Sequence, residues 1–288
     1  MADIVKTSLP HFVPPKDGSK PYLMINADSK TGQRLRNYTL ESYDVEIENL
    51  RGKEDTVSLD TTGFQFFRAE ANHKSFNNDE EIEKEYYPES VELLKKLTGA
   101  NRVVIFDHTN ARFLTAIDII AVRRRRPGEI DDSPQKRQPV PLAHVDQTTA
   151  ASITRVHRHL PAEDVPELLK KRFQIINLWR PIHHPAIDHP LTLCDYRTVD
   201  VQNDLVPTTL RYPDHDGETF SVRHNPNHKW KYLRGMDTDE VVLIKCFDSI
   251  QDGSVAVLTP HSSFVDPTTP SDAPPRESIE LRALVFYE

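Results

Sequence analysis

Four apolar runs constrain this chain more than anything else in it: Arg102–Asp107, Phe173–Pro181, Glu240–Phe247 and Ser278–Phe286. Runs this short and this apolar read as buried strands, and three of the four lie in the second half. Arg102-Val-Val-Ile-Phe-Asp107 is apolar on both faces and is predicted to be a central, fully buried strand. Glu240-Val-Val-Leu-Ile-Lys-Cys-Phe247 carries the strongest strand signal, and Ser278–Phe286 is a terminal strand tied down to the end. Leu191–Asp195, Thr219–Val222, the alternating His228, Trp230 and Tyr232, and Val255–Leu258 add shorter strands between them.

The first half is more mixed. Tyr22–Ile25 reads as one strand. Tyr43, Val45 and Ile47 alternate with acidic neighbours, and a turn at Arg51-Gly52 predicts a hairpin with a short strand at Val57–Leu59. Gly63-Phe-Gln-Phe-Phe67 is an aromatic cluster for the core. From Asn78 the period becomes helical, with Val91, Leu94 and Leu97 before Gly99, and Pro88 is expected to split this into two helices. Thr148 or Thr149 caps a further helix, and a short one covers Asp164–Arg172. Helices therefore flank the strands: a mainly β (α+β) chain, predicted to be a double-stranded β-helix, the jelly-roll or cupin-like core, with about eight core strands. One domain over 1–288 is expected, with a strand and helix extension at 1–100 and the jelly-roll core at 101–288.

Within that frame, Pro141-Leu-Ala-His-Val-Asp-Gln147 is the chemically loaded stretch. Side chains at i and i+2 of an extended segment share a face, so His144 and Asp146 can grip one metal ion. His261, in Thr259-Pro-His-Ser-Ser-Phe264, is the candidate third ligand, and two His with one carboxylate leave positions open on iron. Arg276 follows on the terminal strand, where its planar fork suits a carboxylate. Ser278 and Arg282 fall on the same face by even spacing. Asn177, Trp179 and Arg180 form a polar-aromatic strand segment, with Asn177 a cosubstrate contact and Trp179, Arg180 and Trp230 candidate substrate contacts. His183, His184 and His189 stand among prolines in a spacing that fits no metal site and read as loop, as do His224 and His228.

Composition excludes some functions. A formal charge of −8 argues against a nucleic-acid binder. The run Arg123–Arg126, followed by acidic residues, reads as a solvated loop, with the lesser reading that one arginine reaches over the pocket to an acidic substrate. No segment is long and apolar enough to span a membrane or to form a signal peptide. Cys194 and Cys246 sit in apolar runs and read as buried thiols of a reducing compartment, so a cytoplasmic protein is expected. A small-molecule substrate is the expected partner; a homodimer is compatible. Asn203–Asp216 and Arg123–Gln138 are the long polar segments available as a lid.

Taken in order, these residues resemble the iron(II)/2-oxoglutarate oxygenases, and more narrowly the fungal AsaB-like hydroxylase/desaturase family (CmcJ-related). The resemblance covers most of the chain: Leu59-Asp-Thr-Thr-Gly-Phe64, Tyr86-Tyr-Pro-Glu89, Val103-Val-Ile-Phe-Asp-His-Thr-Asn-Ala-Arg112, His144-Val-Asp-Gln147, Ile176-Asn-Leu-Trp-Arg-Pro181, Asp239–Leu243, Phe247-Asp-Ser249, Pro260–Phe264 and Arg276–Phe286. It implies His144, Asp146 and His261 as Fe(II) ligands, Arg276 as the 2-oxoglutarate anchor, and O2 as the oxidant. The implied activity is C–H oxidation of a small molecule in fungal secondary metabolism: hydroxylation, desaturation or oxidative cyclisation. The Arg123–Arg126 loop departs from the family pattern. Two other readings of the same residues are a Zn(II)-dependent hydrolase and a non-catalytic metal-binding jelly-roll subunit; a regulatory oxygenase acting on a protein side chain is a third.

Overall fold

A computed structural model describes residues 3–26, 28, 31, 33–106, 122–129 and 138–287. In chain order the strands β1 (Ile4–Val13), β2 (Tyr22–Met24), β3 (Thr39–Asn49) and β4 (Phe64–Arg68) come first. The helical run α1 (Asp79–Glu81) and α2 (Tyr87–Thr98) follows, then β5 (Arg102–Ile105), β6 (Val122–Arg124) and β7 (His144–Val145). Next are α3 (Thr149–His159), α4 (Val165–Leu168), β8 (Phe173–Pro181), β9 (Leu191–Cys194) and α5 (Val201–Asp204). The chain ends with β10 (Leu205–Arg211), β11 (Asp216–Val222), β12 (Trp230–Tyr232), β13 (Glu240–Asp248), β14 (His261–Ser263) and β15 (Glu277–Phe286). Asp107–Arg112 of the resemblance and the middle of the 123–138 segment, 130–137, lie outside the described residues.

The strands form two sheets. One runs β1-β3-β12-β9-β14-β7-β11-β10-β2; the other runs β4-β13-β8-β15-β5, with β6 also on β15. This is the double-stranded β-helix that the strand pattern predicts. The N-terminal strands are woven into it: β1, β2 and β3 extend one sheet and β4 edges the other.

Alternation along β8 shows how the layers sort. Ile176 and Leu178 point to the outer face, where Leu94 of α2 and Tyr86 cover them. Trp179 points inward with Phe64, Leu193, Val242 and Ile244. Leu94 is fully buried, so Leu94→Ala would cost about 2–5 kcal/mol, which fixes how firmly α2 is held to the sheet. A third layer of α3 and α4 residues, Val156, Leu160 and Leu168, closes the end against Phe173, Phe247 and Phe286.

Several expectations are corrected. Pro88 does not split the helix: a π turn at Ile82–Tyr86 joins α1 to α2, with Tyr87 N–H reaching the Ile82 carbonyl. The widened turn accommodates a ring that would otherwise meet the carbonyl four residues back. Gly99 caps α2 at φ 73°, the left-handed conformation glycine adopts without strain. Val57–Leu59 is not a strand; β3 pairs instead with β1, whose register runs from Ile4↔Glu48 to Val13↔Thr39. β5 is only partly buried and ends its sheet among the described residues rather than lying at the centre. Asn203–Asp216 is no lid either: β10 pairs with β11 from Leu205↔Val222 to Arg211↔Asp216.

The arginine run is not a solvated loop. Val122–Arg124 is a strand on β15, Arg124 pairs with Glu277 at 3.1 Å, and Arg125 pairs with Asp188. Both cysteines are buried free thiols. No helix among the described residues is long and apolar enough to cross a membrane.

Candidate metal centre

β7 and β14, far apart in sequence, are hydrogen-bonded neighbours, and His144 and His261 are directly opposed in the register. Opposed residues of an antiparallel pair project from one face, and the two rings lie 4.4 Å apart between centroids. His144 Nδ1 is 2.7 Å from the Leu142 carbonyl oxygen, and His261 Nδ1 is 3.0 Å from that of Thr259. A carbonyl only accepts, so each Nδ1 donates and each Nε2 presents a lone pair to the same space. Thr259 is itself fixed: its hydroxyl donates to the Gly63 carbonyl at 2.6 Å. Gly63 has φ +89°, and a Cβ there would stand 2.7 Å from the Leu258 carbonyl oxygen.

Asp146, just past β7, completes the group. Its Oδ1 is 3.5 Å from His144 Nε2 and its Oδ2 is 4.0 Å from His261 Nε2. One donor atom from each of the three residues lies within 4.8 Å of the others. A first-row metal bound at about 2.1 Å to each donor holds them about 3 Å or more apart. The spacing and donor set therefore fit one ion.

The carboxylate is aimed from behind. Asn177 Nδ2 donates to Asp146 Oδ2 at 2.6 Å and Arg282 Nε donates to the same oxygen at 3.0 Å. Arg282 also bonds Glu280, its NH2 lying 3.0 Å from Oε1. Asn177 and Arg282, expected as cosubstrate contacts, are thus placed on the Asp146 carboxylate. Burial would raise the Asp146 carboxyl pKa, but the Arg282 guanidinium beside it outweighs this and holds it well below the usual carboxylate range. Burial, with His144 alongside, lowers the pKa of His261, so its ring is neutral and ready to bind metal near pH 7.

Arg276 lies on the same inner face. It is 3% exposed and its Cζ sits 5.6 Å from the Trp179 ring centroid, so Trp179 faces inward as a platform for the guanidinium. NH1 donates to the His189 carbonyl at 2.5 Å, and the backbone N–H donates to Asp188 Oδ2 at 3.1 Å. Burial, with Arg123 nearby, pushes the guanidinium pKa down to about 9. Arg276 Nε, Ser278 Oγ and Asn177 Oδ1 are all buried and have no partner among the described residues. A buried cation with an unpartnered N–H, sharing its face with the unpartnered Ser278 hydroxyl, fits an anion with carboxylate geometry.

Two expected substrate contacts are not in this site. Arg180 alternates with Trp179 to the outer face, donates to the Ala69 carbonyl at 2.9 Å and stacks 5.5 Å over Tyr86. Trp230 is paired in register with Cys194, whereas its neighbour Leu193 is the partner of His261. Trp230 therefore points away from the ligands, into a cluster with Val5, Leu9 and Ile47. His183 and His189 are loop residues as expected, at φ 64° and 46°, and are not ligands. Asp188 was not singled out by sequence, although it holds Arg125, His189 and the Arg276 backbone. Its Pro-rich surroundings carry no periodic signal that would reveal it.

Similarity to known proteins agrees with this geometry. Residues 9–286 match the family described as Oxidoreductase/YMDC permease-like domain. The chain is 35% identical over 285 residues to the hydroxylase/desaturase CTB9 of Cercospora beticola, covering 95% of this chain and 84% of that protein. It is 32% identical over 282 residues to the Fe(II)/2-oxoglutarate-dependent dioxygenase nvfI of Aspergillus novofumigatus, covering 96% and 94%. Among solved structures, the iron and alpha-ketoglutarate-dependent endoperoxidase NvfI superposes with a TM-score of 0.81 at 28% identity, over 100% of this chain and 99% of that one. The inward-facing His-Asp-His group, the two-sheet fold around it and these full-length similarities give one conclusion: the chain belongs to the fungal hydroxylase/desaturase family of Fe(II)/2-oxoglutarate-dependent oxygenases.

Proposed function

We propose that this enzyme oxidises a C–H bond of a small molecule of fungal secondary metabolism, with His144, Asp146 and His261 holding Fe(II) and Arg276 with Ser278 holding 2-oxoglutarate. The observation that carries the reading is the pairing of two features that face the space between the two sheets. Two lone-pair nitrogens and a carboxylate converge on one point, and a buried guanidinium on the inner face of the other sheet has an unpartnered Nε. When bound, Fe(II) with 2-oxoglutarate and O2 supplies an oxidant able to break an unactivated C–H bond.

The protein's own residues orient and enclose. Leu142 and Thr259 carbonyls fix the imidazole tautomers, and Asn177 and Arg282 hold Asp146 so that Oδ1 is directed toward His144 Nε2. Trp179 supports Arg276 from below. Whether the product is hydroxylated, desaturated or cyclised depends on substrate placement to within about an ångström. The compartment we propose is the cytosol, on the strength of the two buried free thiols. A Zn(II) hydrolase has no use for a buried unpaired Arg276, and a purely structural subunit has no use for an open metal position.

The test is an anaerobic titration with Fe(II) and then 2-oxoglutarate, watching for the weak visible charge-transfer band of the chelated cosubstrate. A band in the wild type that weakens in Arg276→Ala supports metal, cosubstrate and anchor together. Bound iron with no band in the wild type would overturn the assignment.

A further inference from the structure

Arg123 stands on β6 directly opposite Ser278 of β15, and its neighbour Val122 is opposite Ile279. Ile279 and Val122 both belong to the apolar layer under α2, so the alternate residues Ser278 and Arg123 face the other way, inward. Arg123 therefore shares the inner face with Arg276 and Ser278. Its side chain makes one hydrogen bond among the described residues, from NH1 to the Gln138 carbonyl at 3.1 Å.

The nearby carboxylates are bonded elsewhere. Glu277 pairs with Arg124 and His183, and Asp188 with Arg125, His189 and the Arg276 backbone. Glu280 bonds Arg282. No carboxylate among the described residues hydrogen-bonds the guanidinium of Arg123 or that of Arg276. Two like charges thus face one space together with the unpartnered Arg276 Nε and Ser278 Oγ. Such a group is unfavourable unless an anion joins it. A carboxylate has about four acceptor positions, more than the Nε edge of Arg276 and one hydroxyl fill.

We propose that Arg123 is a second arm of the cosubstrate anchor, gripping the terminal carboxylate of 2-oxoglutarate together with Arg276 and Ser278. This rests on the reading of Arg276 as the anchor. It also gives part of the arginine run, the feature that departs from the family pattern, a specific job: Arg124 and Arg125 lock the strand to Glu277 and Asp188, and Arg123 is turned to the ligand.

The test is a calorimetric titration of 2-oxoglutarate into protein loaded anaerobically with Mn(II), with no other substrate present, so that a loss reports the cosubstrate itself. Arg123→Gln should weaken 2-oxoglutarate binding by about tenfold, and Arg123→Lys, which keeps the charge but not the fork, by less. Mn(II) affinity, measured separately, should be unchanged in both and certifies the fold. Wild-type binding in Arg123→Gln alongside weakened binding in Arg276→Gln would overturn the second arm while leaving the anchor in place. Wild-type binding in both variants would instead refute the anchor itself.

Discussion

Replacing Asn177 with Leu separates the metal site from the fold that carries it. Asn177 is fully buried, and its Nδ2 donates to Asp146 Oδ2 at 2.6 Å. A hydrogen bond to a charged acceptor contributes about 1.5–3 kcal/mol. In Asn177→Leu, Arg282 Nε still holds the same oxygen at 3.0 Å, so the carboxylate is loosened rather than released. At about 1.4 kcal/mol per decade, the loss corresponds to about ten- to a hundredfold weaker metal binding. The metal-free fold loses the same hydrogen bond, offset in part because Leu also removes the buried Asn177 Oδ1, which has no partner among the described residues. Unfolding of the metal-free variant should therefore be easier by less than the bond's full contribution of about 1.5–3 kcal/mol. Competition with a metal-binding dye under anaerobic conditions gives the first quantity, and urea unfolding of the metal-free protein the second. Metal affinity within about threefold of the wild type would refute the claim that Asn177 aims Asp146.

Other predictions follow from the same geometry. Asp248→Asn leaves Lys245, fully buried and 2.8 Å from that carboxylate, with only the half-exposed Asp60 as counter-charge; it should cost about 3–5 kcal/mol in urea unfolding, and Lys245→Met with Asp248→Leu far less than the single change. Trp230→Phe should lower stability by about 1–3 kcal/mol yet leave 2-oxoglutarate binding as it is, because the indole lies on the face away from the ligands; weakened binding would contradict that placement. Burial lowers His11 and His159 from 6.5 to about 4. The unfolded chain then binds more protons over that interval, so the stability these neutral rings preserve above pH 6.5 is lost as pH falls toward 4; a pH series of urea unfolding on His11→Gln should show a shallower decline, and an unchanged slope would exclude His11.

The strand pattern and the His144–Asp146 side of the converging group were legible because both leave local marks: apolar runs for the sheets, and an i, i+2 pair for one side of the site. What escaped was parity. β8 is buried at every position, so its sequence cannot say which alternate residues face inward. Asn177 and Trp179 do and Arg180 does not, and only the partners of β8 decide it. Trp230 was misplaced for the same reason, since the facing of a three-residue strand is set by its pairing with Cys194. β1 and β10 were hidden differently. They are half-exposed and carry Pro10 and Pro207, which read as loop, yet Pro10 sits opposite Ser42 and Pro207 opposite Phe220 in paired strands. Two motifs of the family resemblance, around Asp60 and Asp248, turn out to be structural: both carboxylates bind Lys245 and Arg172.

Gly63 touches neither metal nor cosubstrate, yet through it the aim of His261 depends on a residue almost two hundred positions away in the chain. Its carbonyl holds the Thr259 hydroxyl, whose own carbonyl in turn holds His261 Nδ1. Any side chain there would have to displace the 258–259 backbone, and with it the ring. A laboratory library that spares the ligands but randomises this turn will score its losses as inactive enzymes rather than unfolded ones. Mutational tolerance in this protein should therefore follow the two hydrogen bonds from Gly63 to the imidazole more closely than distance from the iron.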